Sequence, residues 1–280
     1  MERKSVNLGC GPVFVDSAEW INLDFSPAST AVVKANLLDR LPLVDNSASV
    51  VYSSHFLEHV PRSAVPVFLR ECFRILEPGG VVRLVLPDLE NMVQEYLRRR
   101  NAGEHERADF VVLELIDQAV RRESGGQMAT LYELLRQNPR NGNSDMVSYV
   151  RSRVGENLVD LELPKKRRLD LAQITRSKVW GRLELYWTRS LVRLLPSAFR
   201  EQNVSFAQVG ERHHWLWDFH QLTAALEEVG FIGVKRQSSD RSHISGFAFD
   251  PLDIDSEGMS RKGESSMYIE AFKTTDPVRP

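Results

Sequence analysis

The chain has 280 residues, is 42% hydrophobic and carries a formal net charge of −2. This length suits one domain with a large insertion, and the composition excludes a disordered or fibrous protein. No run reaches the about 18 apolar residues of a membrane span. Because the first predicted strand begins at residue 4, we expect no signal peptide. The cysteines, Cys10 and Cys72, form no disulfide framework, so we expect packed thiols in a reducing, cytoplasmic compartment.

The first predicted strand covers residues 4–8 and runs into the turn Gly9-Cys10-Gly11. A second apolar strand, residues 20–24, ends on the carboxylate of Asp24. Glycines let a ligand approach the backbone closely, and a carboxylate can accept hydrogen bonds from two ribose hydroxyls. The pair predicts a nucleoside-containing cofactor at the carboxyl ends of parallel strands.

A dinucleotide is disfavoured because the pattern G-x-G-x-x-G is incomplete. Phe14 occupies the place of the third glycine, and Asp24 comes earlier than the acid of a dinucleotide site. Residues 12–19 are too few for a full crossover helix, whose N-terminus would bind a pyrophosphate. We therefore expect a cofactor without phosphate in a pocket that is open on this side.

Strand and helix patterns alternate along the rest of the chain, as in an α/β protein. The further predicted strands span residues 32–37, 48–52, 81–86, 231–236 and 266–274, the last two as an antiparallel edge pair. The predicted helices span residues 63–76, 89–98, 108–122, 128–136 and 219–229. Residues 138–143 are predicted to interrupt the helical pattern of the insertion. Residues 237–265 are predicted to form a long loop, and loops of this length are often functional.

Five motifs in this order, "NLGCG", "WINLD", "LP…DNS", "SSHFLEH" and "LEPGGVVRLVLPD", resemble class I S-adenosylmethionine-dependent methyltransferases. The pattern is similar to a small bacterial branch that is often associated with glycoconjugate assembly. The resemblance covers residues 3–97 and resumes over residues 213–273. It implies a doubly wound, mostly parallel seven-stranded Rossmann-like sheet that binds S-adenosyl-L-methionine.

The resemblance also implies a domain division. Residues 1–97 and 213–280 would form the methyltransferase domain, and residues 98–212 a mostly helical insertion after the fifth strand. An insertion there lies near the carboxyl ends of the strands, so we expect it to cap the site and select the acceptor.

Roles around the cofactor follow from the resemblance, residue by residue. Gly9 and Gly11 would approach the methionine and ribose portions, and Asp24 would bind the ribose hydroxyls. Asn36 would flank the adenine, with an amide oxygen in place of the aspartate of many relatives. The implied cofactor-binding residues are Leu8, Gly9, Cys10, Gly11, Asp24, Phe25, Asn36, Leu37, Ser53, Ser54 and His55.

Methyl transfer to a hydroxyl requires in-line geometry and usually a general base. His55, at the tip of the fourth strand, is the first candidate base, and the alternative is a structural histidine that fixes the loop. Asp88, at the tip of the fifth strand, is a candidate to orient the acceptor or the base. The same aspartate is also a favoured N-cap for the helix that follows.

The segment His213-His214-Trp215 is a candidate acceptor site, because aromatic rings stack on sugars and imidazoles bind hydroxyls. His214, or else His213, is the second candidate base. The alternative is a packed junction between insertion and sheet, with Asp218 as a helix cap.

The chain contains the inverted zinc-protease pattern H-x-x-E-H at residues 55–59. That motif needs both histidines on one helix face and a further ligand. Pro61 argues against a continuous helix, so we predict no metal and expect Glu58 and His59 to fix the start of the next helix.

Residues 165–200 contain ten Lys or Arg and two acidic residues, a net charge of +8, with Trp180, Tyr186 and Trp187 interleaved. The mixture favours an anionic partner, such as a membrane surface, a lipid-linked phosphate, a polyanionic glycan or a nucleic acid. The alternative is a solvated basic face whose aromatic rings pack on the domain. Nucleic-acid methylation is disfavoured because no N-P-P-Y-like tetrapeptide follows the fourth strand.

The sequence thus predicts methyl transfer to an oxygen of a sugar or surface-glycoconjugate precursor. One alternative is a methyltransferase for a small metabolite or natural product. Another is a degenerate cofactor-binding scaffold that acts through its basic insertion, although Gly9, Gly11 and Asp24 argue against it. The oligomeric state and the acceptor are not predicted.

Overall fold

A computed structural model describes residues 4–27, 29–137, 144–158, 180, 184, 186–188, 190–206 and 210–275. The described strands form one seven-stranded sheet in the order β3-β2-β1-β4-β5-β7-β6. They are β1 (Lys4–Leu8), β2 (Trp20–Asp24), β3 (Val32–Lys34), β4 (Ala48–Ser54), β5 (Leu76–Pro87), β6 (Phe231–Gln237) and β7 (Ser266–Lys273). Strands β1 to β5 are parallel, and β7 lies antiparallel between β5 and β6. The predicted fold class and the antiparallel final pair are confirmed.

Helices connect the strands after β4 and build the insertion. They are α1 (Val65–Ile75), α2 (Leu89–Asn101), α3 (His105–Val120), α4 (Gly126–Gln137), α5 (Ser144–Val154), α6 (Ser197–Asn203), α7 (Phe219–Val229) and the short α8 (Phe249–Leu252). Residues 9–19 contain no helix, as their number predicts. The predicted domain boundary at residue 97 falls within α2, and the predicted break at 138–143 lies outside the described residues.

Two strand boundaries differ from the prediction by about three residues or more, for local reasons. β3 ends at Lys34 rather than at residue 37, and Asn36 Oδ1 then accepts a hydrogen bond from the backbone N–H of Leu38 at 3.2 Å. Such side-chain bonding to the backbone favours a turn over a strand. β5 begins at Leu76 rather than at residue 81, because Leu76 is already extended and pairs with Ala48 of β4.

The main core lies between the sheet and helices α1 and α7. On α1 the side chains of Phe68, Leu69, Cys72 and Ile75 are fully buried, which matches their helical spacing. Cys72 is therefore a packing residue, as predicted. Helices α2 to α5 enclose a second apolar cluster that includes Phe110 and Tyr149, so the insertion has a core of its own.

The predicted basic segment is described only in part, since residues 165–179 lie outside the described ranges. Trp180 and Tyr186 each expose 72% of their surface, and Trp187 exposes 66%. This exposure argues against the packed-aromatic alternative at these positions, and the anionic partner stays a prediction. Among the described helices, none combines the length and apolarity needed to cross a membrane.

Candidate active site

The sheet has its topological switch point between β1 and β4, where the chain leaves to build β2 and β3 and then returns. In open α/β sheets, ligands bind at the carboxyl ends of the strands beside such a point. A cavity of about 530 Å³ lies there, and the turn after β1 and the end of β4 form part of its wall. Gly9, Cys10, Gly11, Ser54 and His55 all line it, so the structure brings these predicted cofactor residues together.

The glycine turn presents bare backbone to this cavity. Gly9 has φ +70°, and a Cβ there would lie 2.9 Å from Phe56 Cδ2. Gly11 has φ +53°, and a Cβ there would have no neighbour within 4 Å. The Gly11 N–H donates to Asp24 Oδ2 at 2.9 Å, and Asp24 Oδ1 accepts from the Ser26 N–H at 2.8 Å. Each oxygen keeps a lone pair for a ribose hydroxyl, so the turn and Asp24 fit a nucleoside cofactor.

Cys10 belongs to this wall without being a nucleophile. Burial, and then the negative charge of Asp24, raises the pKa of the Cys10 thiol to about 11. The thiolate is the reactive form, and it is scarce at neutral pH when the pKa is so high. This agrees with the predicted packing role.

The other predicted cofactor residues lie in different surroundings. Ser53 is buried and donates its hydroxyl to the Leu8 carbonyl at 2.8 Å, and the side chains of Leu8 and Leu37 pack in the main core. Phe25 is 56% exposed, and Asn36 donates to Asp39 Oδ2 at 2.8 Å. Leu8 and Leu37 would therefore contact a cofactor through backbone atoms, and the roles of this group stay predictions.

His55 is held in a conformation that few residue types adopt. Its φ is +49°, and its backbone N–H donates to the Val85 carbonyl at 2.8 Å. Nε2 lies 3.0 Å from Ser266 Oγ, and Nδ1 lies 3.3 Å from Glu58 Oε1. Burial, followed by the positive charge of Lys262, holds the pKa of His55 well below its usual value, so the imidazole is neutral at pH 7. Burial raises the pKa of Glu58 to about 8.

A second cavity of about 340 Å³ adjoins the first at His55. Its wall includes Gln118 and Tyr132 of the insertion and Lys262 of the long loop. His55, Glu156, Arg261 and Lys262 line both cavities. The insertion therefore contributes walls to the site, which is the placement that the predicted capping role requires; acceptor selection stays a prediction.

The residues of the predicted acceptor segment, 213–215, lie in two places. One contacts the second cavity, and the others lie at the junction between the insertion and the sheet or on the surface. His213 is 8% exposed and lines the second cavity, whereas His214 is exposed. The Trp215 indole donates to Gln221 Oε1 at 2.8 Å, and the Arg62 guanidinium lies 4.3 Å from the centre of its ring. Asp218 caps α7 by accepting from the Gln221 N–H at 2.7 Å. Trp215 and Asp218 therefore have the contacts expected of a packed junction between insertion and sheet. His213 lies in the cavity wall, where an acceptor site was predicted.

Asp88 occupies the cap position that its residue type favours. Its Oδ1 accepts from the Glu90 N–H at 3.1 Å at the start of α2, and its Oδ2 pairs with Arg236. Asp88 lines neither cavity. These contacts support the cap alternative over a role in catalysis.

Sequence reasoning missed Glu156, Arg261 and Lys262, which carry no motif and lie in loops. Burial lowers the pKa of the Lys262 ammonium, although Glu58 and Glu156 oppose this shift. The sequence offers one weak sign of this contact, the glycine at position 155. A Cβ there would clash with the backbone of Arg261. Only the fold shows that these two loops touch.

Comparisons with known proteins find methyltransferases. Residues 7–84 match the family described as "Methyltransferase domain". A Mycolicibacterium smegmatis protein named "Probable S-adenosylmethionine-dependent methyltransferase" is 38% identical over 101 residues, which is 31% of this chain and 38% of that protein. The match thus spans well under half the length of this curated relative.

Two solved structures overlap with most of the chain. A SAM-dependent methyltransferase from Archaeoglobus fulgidus shares 12% identity at a TM-score of 0.39, with 97% of this chain and 86% of that chain covered. An S-adenosylmethionine-dependent methyltransferase from Mesorhizobium loti shares 14% identity at a TM-score of 0.36, with 97% and 91% covered.

The family match and the curated relative support a class I S-adenosylmethionine-dependent methyltransferase. The name of the curated relative agrees with S-adenosylmethionine as the predicted cofactor. The narrower assignment to a glycoconjugate-associated branch stays a prediction.

Proposed function

We propose that this protein transfers the methyl group of S-adenosylmethionine to an oxygen of a sugar or surface-glycoconjugate precursor. One observation carries the proposal: the cavity at the switch point adjoins a second cavity at His55, whose wall contains both polar and apolar side chains. The first cavity has the features of a nucleoside site, and the second has room for an acceptor beside it. S-adenosylmethionine supplies the electrophilic methyl group, so the protein has mainly to bind and orient.

The wall of the second cavity favours a polyol over an apolar acceptor. Glu114, Gln118 and Arg121 of α3 line it together with Tyr132 of α4 and Lys262. Amide, guanidinium and carboxylate groups hydrogen-bond sugar hydroxyls, and Lys262 and Arg121 suit a phosphate attached to the sugar. Glu114 and Arg121 already pair with Arg153 and Asp117, so hydrogen bonds to a polyol would come mainly from Gln118, Tyr132 and Lys262.

His55 is the proposed general base because it forms part of both walls. Glu58 Oε1 lies 3.3 Å from Nδ1. Ser266 donates its hydroxyl to the Lys262 carbonyl at 3.0 Å, so its Oγ accepts from the Nε2–H of His55 at 3.0 Å. An acceptor hydroxyl that replaces Ser266 would give its proton to Nε2 in the other neutral tautomer, which carries its hydrogen on Nδ1 beside Glu58, as the methyl group is transferred. Asp24 and the glycine turn keep the cofactor in place during this step.

An acceptor screen tests the proposed function. The purified protein is incubated with S-adenosylmethionine and nucleotide-linked sugars, lipid-linked sugars, amines or small phenols, and S-adenosylhomocysteine is measured. We expect turnover with a sugar acceptor and, by mass spectrometry and NMR, a new O-methyl group on the sugar. Turnover only with amines or non-sugar metabolites would contradict the sugar assignment, and binding without any turnover would favour the scaffold alternative.

A further inference from the structure

A cluster of metal-ligating side chains lies behind His55, outside the proposed cofactor cavity. Glu58 and His59 follow β4, and His213 precedes α7. One ligand atom from each lies within 4.8 Å of those of the other two. A backbone hydrogen bond of 2.7 Å from the His214 N–H to the Glu58 carbonyl holds the two segments together.

Glu58 is the unusual member of this cluster. Its side chain is 1% exposed, and among the described residues neither carboxylate oxygen accepts a hydrogen bond, although His55 Nδ1 lies 3.3 Å from Oε1. A buried carboxylate without a partner is strongly destabilising, so such groups are normally paired or bind metals. The carboxylate therefore points to a cation beside it, either a proton or a metal ion.

His59 presents a lone pair to the same carboxylate. Its Nδ1 lies 3.0 Å from the Arg212 carbonyl oxygen, which can only accept, so Nδ1 carries the hydrogen. Nε2 is then bare and lies 4.0 Å from Glu58 Oε1. An outer hydrogen bond of this kind is what fixes the ring of metal-ligating histidines.

The three side chains lie close enough for one ion to bring them together. Bonds of about 2.0–2.2 Å to nitrogen and oxygen place two ligands of a tetrahedral ion about 3.4 Å apart. His59 Nε2 and Glu58 Oε1 are 4.0 Å apart, and the three ligand atoms all lie within 4.8 Å of one another. The side chains would therefore move inward by about 1 Å on binding. His213 packs edge-on against His59, with 4.9 Å between ring centres, and its position in the wall of the second cavity provides a route of entry.

We propose that Glu58, His59 and His213 bind one divalent transition-metal ion of the Zn²⁺ or Co²⁺ type. Two imidazoles and one carboxylate are a common ligand set for such ions, and they leave positions open to a further ligand. This would revise the prediction of no metal. That prediction rested on the absence of a continuous helix, and residues 57–59 indeed form only a short turn. The third ligand comes from His213, far along the chain.

Cobalt binding tests the site without cofactor or acceptor, so the result is independent of the proposed function. The full chain is treated with a chelator and titrated with Co²⁺ while the visible d–d absorption is recorded. We expect one equivalent to bind with new bands, and Zn²⁺ to displace it. If the treated wild type binds neither ion at micromolar concentration, the cation beside Glu58 is a proton and the proposal is wrong.

Matched variants locate the site. Glu58→Gln and His213→Gln should weaken Co²⁺ binding by more than about 100-fold, because loss of an outer partner alone costs about 10–100-fold. His214→Gln changes the adjacent, exposed histidine and should bind as the wild type does. Circular dichroism and urea unfolding check that the variants fold. If folded Glu58→Gln binds Co²⁺ as tightly as the wild type does, the assignment of Glu58 as a ligand is wrong. If the variants do not fold, the wild-type Co²⁺ titration alone decides whether the site exists.

Discussion

Two side chains carry the proposed chemistry of the site, at the tips of β2 and β4, the strands on either side of β1. Asp24 ends β2 and is joined to the glycine turn by the Gly11 N–H, whereas His55 follows β4 in a left-handed conformation. Asp24 also holds the glycine turn, and His55 also has to adopt a positive φ. A substitution that tests the chemistry of either side chain should therefore keep the backbone conformation.

Asp24→Asn tests the ribose contact. We expect the Kd for S-adenosylhomocysteine to rise by about 10-fold or more, because a hydrogen bond to a charged group contributes about 1.5–3 kcal/mol. Isothermal titration calorimetry measures this change, with the exposed Asp16→Asn as the control. Equal affinities for the two variants would mean that the ribose lies elsewhere.

His55→Asn tests the general base. Asn tolerates the positive φ of this position, so the turn should be retained. We expect kcat for the identified acceptor to fall by about 100-fold or more, with little change in cofactor affinity. Steady-state kinetics together with calorimetry separate the two effects. Unchanged turnover would leave His55 as a structural residue.

At the scale of elements, the site depends on how two loops meet. The loop before β7 donates two backbone hydrogen bonds to the last turn of α5, from the Glu264 N–H to the Ser152 carbonyl at 2.8 Å and from the Ser265 N–H to the Arg153 carbonyl at 2.9 Å. A Cβ at Gly263 would clash with the backbone of Arg153. This close contact places Lys262 beside Glu156 in both cavities.

Gly263→Ala should therefore lower the free energy of unfolding more than a matched change elsewhere. The control is Gly258→Ala, which has a similar φ of +77° but no neighbour within 4 Å of the added Cβ. We expect about 1–2 kcal/mol for the control from backbone strain alone and at least about 1–3 kcal/mol more for Gly263→Ala from the clash. Urea unfolding measures both, and equal losses would contradict the close contact.

The packing of α2 on the insertion should make the free energy of unfolding fall at low pH, through Glu95 of α2. Burial opposes ionisation, but hydrogen bonds from Arg99, Arg98 and Tyr149 outweigh it and lower the pKa of Glu95 to about 2. Because the folded pKa lies below the unfolded value, this stabilisation is complete above about pH 4.5 and is lost as the pH falls towards 2. Glu95→Gln should flatten the loss of stability between pH 5 and pH 2.

Urea unfolding at several pH values measures this effect, which we expect to be on the order of 2 kcal/mol. The exposed Glu228→Gln serves as the control and should keep the wild-type pH dependence. If Glu95→Gln and Glu228→Gln lose stability in parallel with the wild type on acidification, the Glu95 network does not contribute as described.

The elements and part of the site could be predicted because their signals are local. The helical spacing of Phe68, Leu69 and Cys72 and the glycine turn before Asp24 are each contained in a short stretch of sequence. Glu156, Lys262 and the pairing of His213 with Glu58 could not be predicted in this way. They are separated along the chain and meet only because the insertion and the long loop fold over the carboxyl edge of the sheet.

At the scale of the whole molecule, a buried arginine ties the long loop to the sheet. Arg83 of β5 has no exposed surface and forms ion pairs of 2.7 Å with Asp253 of the loop and Glu270 of β7. It also donates to the Ser238 carbonyl at 2.8 Å, while Tyr52 donates to Asp253 at 2.7 Å. The loop that carries Lys262 is thus anchored at the centre of the sheet.

Arg83→Met should destabilise the protein by about 3–5 kcal/mol, because it leaves two buried carboxylates without their cation. The control is Arg40→Met, whose side chain is 74% exposed and whose pairing with Asp45 should contribute less than about 1 kcal/mol. Urea unfolding measures both, and hydrogen exchange should show lost protection at residues 238–253. Wild-type stability in Arg83→Met would contradict the anchoring role.

The central claim is that the switch point between β1 and β4 binds S-adenosylmethionine. Calorimetric titration of the purified protein with S-adenosylmethionine and S-adenosylhomocysteine, with NAD as the control, tests it most directly. We predict one binding site per chain for both sulfur nucleosides and no binding of NAD. Failure to bind either sulfur nucleoside, or equal binding of NAD, would contradict the claim.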